Sequence, residues 1–187
     1  STNRINKYIT IAKHIDCYFQ LKVIDDYKAY PVTDPTKVKI IMTDKEMQSI
    51  CNCNIEYPPF INEPEDKHKA RSNENNLRYR VIFNVLRFSG MRPDELVNMK
   101  WSDFLGTHFR LYARKTRKLR NVPVPEQVRY LINQLPKYDH EYIFSGQRGK
   151  LKKHTINQEL RKRLIILKMD ERITTYCFRY SFDTLCA

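Results

Sequence analysis

Glycine is scarce here, with only four in 187 residues. None of them builds a G-x-G-x-x-G run or a G-K-[ST] loop, so nucleotide-cofactor folds lack their phosphate cradle. No strained G-x-S-x-G elbow is present for a Ser-His-Asp nucleophile either. Cysteine occurs five times, an odd number without framework spacing, which reads as reduced thiols in a cytosolic-type compartment. Cys51 and Cys53 form C-x-C rather than C-x-x-C. His68 is the nearest downstream histidine and no second ligand pair follows, so neither zinc nor any other metal is expected. No apolar run approaches transmembrane length, and no stretch reads as a signal peptide. There is no internal repeat and no low-complexity tract.

What the chain does have is positive charge. Thirty-four Lys and Arg stand against 21 Asp and Glu, for a net charge of +13. A folded domain this basic usually meets a polyanion, and nucleic acid is the first candidate. A membrane surface is disfavoured because no basic helix carries an aromatic face. Hydrophobic residues at 41% suit a globule, and this length supports one good-sized domain with a small appendage.

Along the chain, Ile5, Tyr8, Ile9, Ala12, Ile15 and Phe19 recur at helical spacing within residues 2–24. Pro31 and Pro35 then mark a linker. Thr43 and Glu46 form a capping box at the head of a new helix. Residues 57–76 read as a loop from their prolines and polar run, with Glu63, Glu65 and Asp66 solvated within it. Leu77, Val81, Ile82, Val85 and Leu86 give a core-facing helix that stops at Gly90. A short helix comes next, to about Lys100, with Trp101 and Phe104 as packing residues.

The stretch "HFRLYARKTRKLRNVPV", 108–124, alternates apolar and polar residues around a basic turn, the pattern of a hairpin. Two further helices read from "PEQVRYLINQL" and "HTINQELRKRLIILK". The second is preceded by Lys150, Lys152 and Lys153 and carries Arg161, Lys162 and Arg163. Thr174 or Thr175 caps a last helix. The expected fold class is therefore mainly α with a small antiparallel sheet.

One position breaks a local rule. In "FSGMRPDELVNMKW", Pro93 suits a first helical position, and Asp94 and Glu95 suit a positive helix end. Arg92 stands where a cap belongs, although it cannot accept a hydrogen bond and its charge opposes the helix end. A second feature is "RKTRK", 114–118, at the hairpin turn. A third is Tyr176 and Arg179, three apart on one helix face. Two arginines can hold one phosphodiester by bidentate bonds. A lysine on the turn, its pKa lowered by neighbouring cations, can protonate a leaving oxygen. The plainer readings are a surface arginine, a nonspecific phosphate contact, and a structural Arg179 paired with Asp183.

Taken together, these stretches are more specific. "FSGMRPDELVNMKWSDF" resembles the first conserved box of the tyrosine recombinases, the phage integrase family. "ARKTRKLRNVPVP" resembles that family's β-hairpin, and "YIFSGQRGKLKKHTINQELRKRL" its next segment. "ITTYCFRYSFDTL" is similar to the box written T-x-H-x-L-R-H-x-F. The resemblance spans about residues 41–187, with four boxes in order.

It implies a catalytic domain over residues 35–187, incomplete at its C-terminus. Residues 1–34 would be the last helix of an N-terminal DNA-clamping domain plus a linker. Arg92 and Arg179 would form the phosphate clamp. Lys115 would be the general acid toward the leaving 5′-oxygen, with Lys118 the alternative. Glu95 would brace the site. Arg114, Arg117, Lys118, Arg120, Lys150, Lys152 and Lys153 would line the DNA. The implied activity is DNA cleavage and rejoining through a 3′-phosphotyrosine, without cofactor. The implied partner is double-stranded DNA, with oligomers forming on paired sites, and the location is cytoplasmic and nucleoid-associated.

Two departures stand out. Tyr176 replaces the family's histidine; a tyrosine can donate to a phosphate but is a poor proton shuttle near neutral pH. No residue after Arg179 matches the box of the nucleophilic tyrosine, and Tyr180 lies too close to Arg179. The expectation is a fragment that binds DNA without cutting it efficiently. The other classes compatible with the sequence are a non-catalytic DNA-binding module and a type IB topoisomerase-like enzyme. The W-x-D box favours a recombinase over the latter.

Overall fold

The computed structural model describes residues 39–113, 118–146 and 149–186. The expected helix at 2–24, the linker after it and the turn residues 114–117 lie outside that description. The chain divides into two units, residues 1–38 and residues 39–187, and all the elements named below belong to the second.

The order of elements is α1 (Asp44–Asn52), α2 (Glu65–Ser89), α3 (Pro93–Val97), a 3-10 turn (Trp101–Asp103), β1 (His108–Ala113) and β2 (Lys118–Pro123). Then come α4 (Glu126–Asn133), β3 (Ser145–Gly146), β4 (Gly149–Lys150), α5 (Lys153–Ile166) and α6 (Thr175–Leu185). Both sheets are two-stranded antiparallel hairpins. The mainly helical class with minor antiparallel sheet is what the sequence patterns predict.

The cap expected at α1 is present: Thr43 N–H donates to Glu46 Oε2 (2.7 Å), and Glu46 N–H donates to Thr43 Oγ1 (3.3 Å). The expected loop at 57–76 is a loop only to Pro64. From Glu65 onward the chain is helical, and α2 runs 25 residues, about 37 Å. Its polar first half lacks a hydrophobic stripe, which is why periodicity misses it. It is held instead by acids in the first turn and by Glu65–Lys69 and Glu74–Arg78 pairs at i,i+4. Glu63 is also no free loop acid: it takes two bonds from Arg71 (2.8 Å each) and one from the Phe60 N–H (3.0 Å). The short helix α3 ends at Val97, three residues before the expected Lys100.

The apolar second half of α2 is the central element, packed by α1, α4 and α6. Val81, Ile82, Phe83, Val85 and Leu86 are buried there. Phe83 stacks on Phe178 of α6 with centroids 5.8 Å apart. Arg163, grouped by sequence with the basic face of α5, is instead fully buried. Its guanidinium lies 5.2 Å from the Phe83 ring centre and 5.3 Å from that of Tyr79, and it donates to Glu159 Oε2 (3.1 Å). Tyr57 donates to the same oxygen (2.8 Å). A buried cation of this kind is tolerated because carboxylate and aromatic faces replace water. Burial likewise pushes the Tyr79 phenol up to about 12 and the Cys51 thiol up to about 12.

The hairpin β1–β2 pairs Phe109 with Val122, Leu111 with Arg120 and Tyr112 with Leu119. Strand alternation puts Phe109, Leu111 and Val122 on the inner face. Arg120 shares that face, so it turns toward α3 rather than to open solvent.

Candidate functional site

The site is built around the turn between α2 and α3. Gly90 closes α2 in the left-handed conformation (φ 54°, ψ 18°) and donates to Leu86 O (3.2 Å). A Cβ here would lie 2.3 Å from Cδ1 of Phe182 in α6. Two residues on, Arg92 is extended (φ −72°, ψ 143°), and Pro93 starts α3.

Arg92 gives the helix no cap acceptor. Its own backbone N–H donates to Glu95 Oε2 (2.9 Å), and its Nη1 donates to Glu95 Oε1 (3.1 Å). From β2, Arg120 Nη2 donates to Glu95 Oε2 (2.7 Å). One carboxylate, with only 13% of its side chain exposed, thus holds two guanidiniums that are each about a third exposed. Charge-assisted bonds on a shielded carboxylate fix both forks while leaving part of each for another anion.

Arg179 arrives from α6, which begins at the Thr174 cap. Its Nη1 donates to the Gly90 carbonyl (2.6 Å), whereas Asp183 Oδ2 is 3.8 Å from its Nε. The plainer pairing with Asp183 exists only as the longer contact. Arg179 is therefore anchored to the turn that leads into Arg92, although 87 residues separate the two arginines.

One turn earlier on α6, Tyr176 donates its phenol to Asp94 Oδ2 (3.2 Å). Asp94 Oδ1 also lies 3.2 Å from Lys153 Nζ. Burial and the Asp94 charge hold the Tyr176 pKa above its ordinary value, keeping it a neutral donor. Lys150 donates to Asn98 Oδ1 (2.9 Å) with its ammonium over the Tyr142 ring. Lys152 caps α5 by its backbone and is exposed. Lys118 opens β2. Arg114, Lys115 and Arg117, which fall between β1 and β2 in the sequence, lie outside the described residues.

Between α3 and the β1–β2 hairpin lies a cleft of about 460 Å³, lined by Arg92, Asp94, Glu95, Asn98, Arg110 and Tyr112 among others. Its lining carries the Arg92 and Arg110 guanidiniums and the Tyr112 phenol, donors suited to an anion such as a phosphodiester, beside the carboxylates of Asp94, Glu95 and Asp103. Among the described residues no group of three His, Cys, Asp or Glu could hold a metal ion. No helix of the described residues is long and apolar enough to cross a membrane.

Sequence reasoning places Asp94 only as a helix-dipole residue and does not single out Asn98. Their partners lie 82 and 59 residues away for Asp94 and 52 away for Asn98, so no local pattern signals them.

The phage integrase family model matches residues 56–185. The chain is 31% identical to a probable integrase/recombinase of Acholeplasma phage L2, across 96% of this chain and 71% of that protein. It is 27% identical to a tyrosine recombinase of Thermosipho africanus (strain TCF52B), across 68% of this chain and 47% of that protein. The chain thus matches about half the length of the Thermosipho relative. Among solved structures, XerA recombinase aligns with a TM-score of 0.58 at 19% identity, over 99% of this chain and 61% of that one. The Tn1549 transposon integrase in complex with circular intermediate DNA aligns at 0.61 and 16%, over 98% and 64%. By the match to the family model over most of its length, this chain belongs to the phage integrase family of tyrosine recombinases.

Proposed function

We propose that this chain is the DNA-holding part of the catalytic domain of a site-specific recombinase. In the proposed reaction a tyrosine oxygen attacks a phosphodiester, a 3′-phosphotyrosine forms and the bond to the 5′-oxygen breaks. Lys115 delivers the proton to that leaving oxygen, with Lys118 the alternative. A second strand's 5′-hydroxyl then reverses the step, so bond energy is kept in the covalent intermediate. Arg92 and Arg179 bind the non-bridging oxygens and stabilise the transition-state charge. Glu95 fixes Arg92 and Arg120. Tyr176 supplies a donor where the family pattern has histidine. The attacking tyrosine, on the resemblance, lies outside residues 1–187.

The observation that carries this reading is the junction at Gly90 to Glu95. Arg179 bonds the turn's carbonyl and Arg92 leaves the same turn, braced by a carboxylate shared with Arg120. The Tn1549 integrase, of the same fold, is in complex with DNA, and a lambda integrase dimer of this fold is bound to a core site. We extend both partners, duplex DNA and a second protomer, to this chain as part of the proposal. Residues 1–34 would add the last helix of a DNA-clamping domain, and a DNA-acting protein would work in the cytoplasm.

The test is duplex binding across a salt series. Log affinity should fall with log salt by about 0.9 per phosphate neutralised, with several phosphates involved. Replacing Arg92 or Arg179 by Ala should weaken binding and make the slope shallower by about one phosphate. A flat salt response would overturn the reading.

A further inference from the structure

One group of side chains beside the two arginines is already engaged within the protein. Asp94 Oδ1 lies 3.2 Å from Lys153 Nζ, and Asp94 Oδ2 accepts the Tyr176 phenol at 3.2 Å. The Lys153 ammonium also lies 5.6 Å from the Tyr176 ring centre. The three residues come from α3, α5 and α6, so tertiary packing and not sequence neighbourhood assembles them. Asp94 lines the cleft beside Arg92 and Glu95.

An exposed acid at this point opposes the rest of the site. A phosphodiester brought to Arg92 would meet the Asp94 charge two residues along. Lys153 and Tyr176 are the donors a phosphate would take, an ammonium and a phenol. A phenol has one proton, and giving it to Asp94 withholds it from any other acceptor.

We propose that Asp94 is an internal stand-in for a DNA phosphate. It engages Lys153 and Tyr176 in the free protein, and a phosphate of the duplex must displace it to recruit both donors. This inference rests on the proposed DNA binding and adds to it the residue that sets the clamp's resting state. Displacement exchanges one anion for another. Lys153 neutralises a phosphate and releases a counterion from the DNA, but the vacated carboxylate gathers a cation back. The two nearly cancel in the salt slope, so Lys153 contributes affinity with little salt dependence.

The experiment is duplex binding by the 187-residue chain carrying Asp94→Asn, over the same salt series. Asparagine keeps an oxygen that accepts from either donor and removes only the charge. Affinity should rise about three- to tenfold at low salt, and the slope should steepen by about 0.9. Glu65→Gln is the control: it removes an equal charge at the other end of α2, about 36 Å of helix from Ser89. It should change affinity less and leave the slope alone. With Lys153→Ala already in place, Asp94→Asn should lose most of its gain. If Asp94→Asn matches Glu65→Gln in affinity and slope, or keeps its full gain without Lys153, the stand-in role is wrong while DNA binding stands. If the unaltered chain binds duplex without salt dependence, the DNA-binding reading itself has failed and this inference falls with it.

Discussion

Gly90 carries two requirements that only glycine meets together. Its φ of 54° is strained for any residue with a Cβ, and the space that a Cβ would need is filled by the Phe182 ring at 2.3 Å. The same residue offers the carbonyl that holds Arg179. Fold and site therefore meet in one residue, and a small substitution should damage both. Gly90→Ala should lower the unfolding free energy by about 2 to 4 kcal/mol, from left-handed strain plus overpacking. Chemical denaturation measures this directly; an unchanged midpoint would mean that Phe182 yields freely and the turn is not under constraint. Arg92 is explained at the same scale. It breaks the capping rule because Glu95 reaches back to its N–H, which leaves the side chain at Arg92 free to be chosen for something other than capping.

Elements differ in how much of them can be read from local chemistry. The Thr43–Glu46 cap, the core stripe of α2 from Val81 to Leu86, the stop at Gly90 and the hairpin alternation at 108–124 all follow from neighbours in sequence. The first half of α2 does not, because residues 65–76 have no apolar period and are stabilised by charge pairs along one helix. Arg163 escapes a local reading for the opposite reason: its burial depends on Tyr79, Phe83 and Glu159 arriving from elsewhere in the fold or from the turn before it. Of the candidate site, the positions of Arg92, Glu95 and Arg179 are legible as a pattern, while the Asp94–Tyr176–Lys153 group is not, since three helices must pack before it exists. The loop ahead of α2 gives an element-scale prediction. Hydrogen bonds from Arg71, then from the Phe60 N–H, hold the Glu63 carboxyl down to about 2 from 4.5. A depressed folded pKa contributes stability that is full above pH 4.5 and is lost as pH falls through about 2. The stability difference between the unaltered chain and Glu63→Gln should therefore shrink over that window in acid titrations of thermal unfolding. Parallel acid limbs for the two proteins would show that Glu63 does not anchor this loop.

Charge and core divide unequally along the whole molecule. Residues 1–38 hold six Lys or Arg and four Asp, a net +2, which leaves +11 of the +13 on residues 39–187. The buried cluster from Met42 to Phe178 also lies in that second unit, tied by the Phe83–Phe178 stack between α2 and α6. A unit with its own core needs no outside segment to fold, and a unit with most of the charge needs none to attract DNA. A chain beginning at Lys39 should therefore keep a cooperative thermal transition within a few degrees of the full chain's, which is about 1 kcal/mol or less for this size. Its duplex affinity should keep most of its salt dependence, because residues 39–187 hold 28 of the 34 Lys and Arg that can neutralise phosphates. Scanning calorimetry and the salt series check the two halves separately. Loss of the transition would make residues 1–38 part of the core. Retention of the transition with a collapsed salt slope would place the DNA-facing charge in the first segment, against the distribution of basic residues around the Arg92 turn.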